Sequence, residues 1–150
     1  MIYWFIGQPG CGKTTLAKRL KREFDAKGNP SIHLDGDDLR KIFGYAYLKE
    51  NFTKEYRIEQ TRILQRFAAH LSDQGIDVIV STVNPYRDVR DEFKASRIDV
   101  REIYVFTAEI RGREHLHVPD FETPHDRCID ILTHEGREEE VFRRLYYNFL

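Results

Sequence analysis

One octapeptide near the N-terminus restricts this chain more than anything else in it. Gly7-Gln8-Pro9-Gly10-Cys11-Gly12-Lys13-Thr14 follows an apolar run, Ile2–Ile6, and leads into a helical pattern. Glycines at those spacings let a backbone curl until its amides converge, and a helix N-terminus adds the positive end of a dipole. Convergent amides beside a lysine make a cradle for phosphate oxygens. The run satisfies the Walker A pattern, including the strand before it and the helix after it that the pattern requires. Gly7, Gly10, Cys11, Gly12, Lys13, Thr14 and Thr15 are therefore the nucleotide-binding candidates. Lys13 neutralises the outer phosphates, and the Thr14 hydroxyl is placed to ligate magnesium. Cys11 sits where a helix N-terminus can lower a thiol pKa, but it reads as loop filler and is assigned no chemistry. ATP with Mg2+ is the expected ligand, although a binding switch or a motor would carry the same loop.

The rest of the chain tells which architecture carries the loop. Strand-like runs at Ile2–Ile6, Ser31–Leu34, Asp77–Val80, Arg101–Phe106 and Cys128–Ile131 alternate with helical patterns, which implies parallel βαβ units. The first helix is expected from Lys13 to about Lys27, stopped by Gly28, with Leu16, Leu20 and Phe24 facing the sheet. A longer one should run from Thr53, its cap, to Asp73, with Ile58, Ile63, Leu64, Phe67, Ala68 and Leu71 near the helical period. A third is expected after Pro85, and Glu138–Arg144 reads as the start of a C-terminal helix. The fold class is α/β: a P-loop NTPase-type, doubly wound, mainly parallel sheet flanked by helices. Ligands of such sheets gather outside the strand carboxyl ends, here Gly7, Asp35, Ser81 and Thr107.

Without repeat or linker, residues 1–150 are read as a single domain. The 24 Lys and Arg against 25 Asp and Glu argue against a nucleic-acid partner. Cys11 and Cys128 read as free thiols, and no run is long enough for a membrane span, so a soluble, cytoplasmic chain is expected. Its oligomeric state stays open, a homodimer included.

Asp35-Gly36-Asp37-Asp38-Leu39-Arg40 follows the second strand. Gly36 permits a bend that turns Asp35 and Asp37 toward the phosphate loop, where a carboxylate orders magnesium ligands or accepts the proton of an attacking hydroxyl. Lys13, Asp37 and Asp35 are the catalytic candidates, with Thr14 and Asp35 for the metal. Asp38 reads better as the cap of a short helix. Arg40 offers a planar fork to an anionic substrate.

Taken together these blocks resemble the adenylylsulfate kinase family, which phosphorylates adenylylsulfate with ATP. The likeness continues through Phe52, Arg57, Gln60 and Arg62, then Val83-Asn84-Pro85-Tyr86-Arg87, Glu109-Ile110-Arg111-Gly112 and Asp120-Phe121-Glu122-Thr123-Pro124. It implies that Arg40, Phe52, Arg57 and Gln60, with Val83 and Asn84, bind the acceptor, and that Arg111 lies at the nucleotide. The chain departs from the family at Asp38 and Gln60, where the family has asparagine, and at Asn84, where it has serine. Thr107-Ala108 runs almost directly into Glu109, where the family carries a basic lid. The aromatic expected after Gly112 is replaced by Arg113, Glu114 and His115. His115 and His117 alone make a poor metal pair. The leading reading is a lid-reduced adenylylsulfate kinase-like enzyme. A kinase of another hydroxyl, on a nucleoside, modified base or small alcohol, and a nucleotide-binding module with little transfer activity, stand beside it.

Overall fold

The computed structural model describes residues 1–44 and 53–150. Its sheet is built from β1 (Ile2–Ile6), β2 (Ser31–Asp35), β3 (Asp77–Ser81), β4 (Val100–Phe106) and β5 (Cys128–Leu132). They lie in the order β2-β3-β1-β4-β5 and every neighbouring pair is parallel. β1 is central: Ile2 faces Val78 on one side and Val100 on the other. Both faces of that strand are covered, which is why it reads as a continuous apolar run rather than an alternation.

The helices are α1 (Lys13–Ala26), α2 (Gly36–Ile42), α3 (Lys54–Asp73), α4 (Arg87–Ser96) and α5 (Glu138–Phe149), with a 3-10 turn at Glu114–Leu116. α1 and α5 cover one face, where Leu16, Leu20, Phe24, Phe142 and Leu145 pack on Phe5, Ile79, Ile103 and Val105. On the other face Leu64 and Ala68 of α3 pack on Ile2, Trp4, Ile6 and Val80, and the edge of the Phe93 ring from α4 meets Trp4. The expected elements are present, with ends shifted by a residue or two as capping dictates. Thr53 caps α3 as anticipated, its Oγ1 accepting from the Tyr56 amide.

Two expectations are corrected. Asp35, not Asp38, caps α2: its carboxylate accepts from the Asp37 amide at 3.0 Å, because the helix begins directly at the strand end. Asp38 is exposed and pairs with Lys41. Gly36 does not use the left-handed freedom expected of it: its φ lies outside that range, and a Cβ there would crowd Thr82 Cγ2 at 3.1 Å.

Candidate functional site

Parallel strands point their carboxyl ends the same way, so β1, β2 and β3 deliver the phosphate loop, Asp35 and Ser81 to one edge of the sheet. Within the loop Gly7, Gly10 and Gly12 have φ of 142°, 87° and 97°. Gly7 also lies against β4, where a Cβ would sit 2.1 Å from the Val105 carbonyl oxygen. Lys13 folds back over the loop and donates to the Gln8 carbonyl at 2.8 Å. Burial presses its pKa down, with the neighbouring Cys11, Asp35 and Asp37 opposing; arriving phosphates would add to that opposition. Burial likewise raises the Cys11 thiol, against the pull of Lys13, so this buried side chain is core filling rather than a nucleophile. Thr15 is exposed at the start of α1.

Asp35 is fully engaged. Its Oδ2 accepts from Thr14 Oγ1 at 2.9 Å and Ser81 Oγ at 2.7 Å, and its Oδ1 takes the Asp37 amide. Burial alone would raise its carboxyl, but the hydrogen bonds from Ser81, Thr14 and Asp37 outweigh it and hold the group below its ordinary value. Asp35 is therefore an anion that aims the Thr14 hydroxyl. His33 Nε2 lies 2.8 Å from Ser81 Oγ and extends the chain by one residue. Burial lowers the His33 pKa. Among the described residues no group of three His, Cys, Asp or Glu could hold a metal by itself. A hydroxyl ordered by a carboxylate suits magnesium, which is bound through one or two protein oxygens plus substrate phosphates. His117 is not part of any such group; its Nε2 lies 3.2 Å from the Pro9 carbonyl.

Beside this lies a cleft between α2, α3 and the loop after β3. It brings together Arg40, Arg57, Gln60, Val83 and Asn84, residues from three separate stretches of the sequence. Phe52 lies outside the described residues. Arg40 donates to Asp37 Oδ1 at 2.6 Å, linking the cleft to the carboxylate turn. Burial lowers the Arg57 pKa. Asn84 is buried and holds a φ of 44°. Between the polar groups are Leu39, Phe43, Ile63 and Phe67, which sequence reasoning did not assign to a site. Ile63 and Phe67, on the apolar stripe of α3, are 36% and 41% exposed because the cleft, not the sheet, receives them.

The segment after β4 closes the other side. Arg111 pairs with Glu109 Oε2 at 2.8 Å and approaches Thr133 Oγ1, which itself donates to the Cys11 carbonyl at 2.8 Å. That places Arg111 beside the phosphate loop. Arg113 lies against Gly10, where a Cβ would meet its own Cβ at 3.2 Å. Gln8 clamps this segment from both sides of one residue: Nε2 donates to the Val118 carbonyl and Oε1 accepts the Val118 amide, each at 2.9 Å. The clamp was not anticipated, and nothing local in the sequence announces a contact between residues so distant.

A family model described as Adenylylsulphate kinase matches residues 1–114. The cytidine diphosphoramidate kinase of Campylobacter jejuni is 36% identical over 105 residues, covering 69% of this chain and 59% of that protein. The adenylyl-sulfate kinase of Deinococcus deserti is 35% identical over 104 residues, covering 69% and 56%. The chain thus spans less than three fifths of the length of either relative. In fold it is similar to a Mycobacterium tuberculosis APS kinase solved in complex with AMPPNP and APS, with a TM-score of 0.77 at 23% identity, covering 97% and 95% of the two chains. The phosphate loop, the Asp35 turn and the cleft from Arg40 to Asn84 all fall inside the matched span, and the chain belongs to the adenylylsulphate kinase family.

Proposed function

We propose that the protein transfers the γ-phosphoryl group of ATP to a hydroxyl of a nucleotide-like acceptor, with the 3′-hydroxyl of adenylylsulfate the leading candidate. The observation that carries this reading is the junction of two sites at Asp37: the carboxylate turn that begins at Thr14 and Asp35 passes through Asp37 to Arg40 in the cleft. The phosphate loop and Lys13 hold the triphosphate. Magnesium, when bound with the nucleotide at Thr14, neutralises charge on the phosphate oxygens.

Arg40 and Arg57 suit the anionic part of the acceptor, and Gln60 and Asn84 its polar edges. Asp37 accepts the hydrogen bond of the acceptor hydroxyl and aims it at the γ-phosphorus. The new bond joins the acceptor oxygen to that phosphorus, while the bond from phosphorus to the β–γ bridging oxygen breaks. ADP leaves with that electron pair, and the hydroxyl proton passes to Asp37 and on to solvent. Arg111 and Arg113 border the phosphate loop and stand where a longer basic lid would otherwise contribute cations.

The test is ADP release from ATP and magnesium with and without adenylylsulfate, with the product examined for a new 3′-phosphate. Stimulation with that product supports the reading. A second acceptor is favoured by the Campylobacter jejuni relative and by the lack of an aromatic after Gly112: a cytidine diphosphate derivative. Stimulation by cytidine diphosphoramidate but not by adenylylsulfate would decide for it. ATP binding with no stimulation by either would leave a nucleotide-binding module.

A further inference from the structure

The acceptor cleft is held from behind by an arginine that does not line it. Arg90, on α4, is 2% exposed. Its Nη1 donates to the Asn84 carbonyl at 2.8 Å and its Nη2 to the Glu122 carbonyl at 2.6 Å. The flat fork thus spans two backbone segments, the cleft loop after β3 and the segment that descends from Val118. Further bonds stitch the same segments together. The Arg87 amide donates to Glu122 Oε2, the Glu122 amide to the Pro85 carbonyl, and the Arg87 guanidinium to the Thr123 carbonyl.

Burying a guanidinium for stability alone is a poor bargain, since an apolar residue of similar volume commonly serves as well. The ion pair here is also imperfect. Glu102 Oε1 lies 3.6 Å from Arg90 Nε and 3.4 Å from Lys94 Nζ, and among the described residues neither Arg90 Nε nor Glu102 Oε1 has a hydrogen-bond partner. What is well made is the pair of bonds to the carbonyls. One of them ends on Asn84, whose φ of 44° lies in the left-handed region that asparagine enters more readily than most side chains, and the bond from Arg90 holds its carbonyl there.

We propose that Arg90 is a positioning residue for the acceptor: it fixes the Asn84 carbonyl, and through it the backbone that sets the floor of the cleft. The proposal rests on the reading of the Arg40–Asn84 cleft as the acceptor site. Arg90→Lys keeps the charge beside Glu102 but replaces the fork with a point donor that cannot span both carbonyls. Expected are an acceptor KM raised about tenfold, as a small misplacement of a binding group produces, and an ATP KM and melting temperature near those of the parent. Peptide-resolved hydrogen exchange should quicken over residues 82–87 and 120–123 and stay unchanged over residues 7–16. An equal rise in both KM values, or faster exchange throughout the sheet, would overturn the proposal and leave Arg90 a support of the fold. Absence of acceptor-dependent turnover in the parent protein would remove the acceptor reading instead, and the exchange comparison would still decide whether Arg90 acts locally. Should Arg90→Lys not fold, Arg90→Met, which leaves Glu102 paired with Lys94, carries the same comparison.

Discussion

Thr14 Oγ1 donates to Asp35 Oδ2 at 2.9 Å, so the second residue of α1 and the last residue of β2 hold a single oxygen in place at the mouth of the phosphate loop. Asp35→Asn keeps a good helix cap while removing the anion that aims the hydroxyl. Turnover should fall by about 100-fold and the magnesium requirement should rise, with the melting temperature close to that of the parent. A magnesium titration of initial rates beside a thermal melt checks it, and an unchanged magnesium dependence would remove Asp35 from the metal's surroundings.

Arg57→Ala should raise the acceptor KM by about 10- to 100-fold and leave the ATP KM alone, because the arginine lines the cleft and not the phosphate loop. Steady-state kinetics with each substrate varied in turn gives the answer. A loss of folding instead would show that its half-buried stem matters more than its charge.

Gly7→Ala and Gly28→Ala separate two costs of replacing a glycine. Both sites have positive φ, 142° and 72°, but a Cβ at Gly7 would meet Val105 O at 2.1 Å whereas one at Gly28 would meet nothing within 4 Å among the described residues. Gly28→Ala should cost about 1 kcal/mol. Gly7→Ala should cost about 3 kcal/mol or more, since β4 must move. Urea midpoints of the two variants measure the gap, and equal values would show that β4 yields freely.

Acid should find a defined weak point at Asp99. The Arg97 guanidinium, with help from the Ser72 hydroxyl, holds its carboxyl down to about 2, from an ordinary 3.8. A folded-state pKa below the unfolded one adds stability above the unfolded value, and that stability is lost as pH falls through the folded value. The contribution should therefore be complete above about pH 4 and disappear toward about pH 2. Because the pair is partly exposed, Asp99→Asn should cost only about 1 kcal/mol at neutral pH. Melting temperatures of parent and variant should converge as the pH is lowered through that window; a constant gap would contradict the assignment.

The parts of this protein legible in its sequence are those whose physics is local. The Walker A octapeptide fixed β1, α1 and the nucleotide side together, and Thr53 announced α3 by its capping chemistry. The resemblance to the adenylylsulfate kinase family, and not any local pattern, pointed to Arg40, Arg57, Gln60 and Asn84, which the structure brings to one cleft. Its apolar half was hidden because periodicity reveals an apolar stripe without saying what receives it: Leu64 and Ala68 meet the sheet, while Ile63 and Phe67, on the same helix, meet the cleft. Arg90, Lys94 and Glu102 were invisible for the opposite reason, since charged residues read as solvated until a fold buries them. The Gln8 clamp on Val118 bridges 110 positions and depends wholly on the order of the strands.

That clamp bears on how such a fold changes over time. Glu109 secures the start of the segment after β4, accepting from the Glu135 amide and pairing with Arg111, and Gln8 secures its end at Val118. Both anchors lie beyond Ala108, which is exposed at the sheet's edge. Extra chain spliced in after Ala108 would leave and re-enter at one point on the surface, breaking the bond from the Glu109 amide to Thr107 Oγ1 but sparing the Glu109 carboxylate contacts, the Gln8 clamp and every strand register. Closing a longer loop adds only about 0.6 kcal/mol for each doubling of its length. Ala108 is thus a grafting port, at which caps of different length and charge can be exchanged, by evolution or by an engineer, while the machinery beneath keeps its geometry.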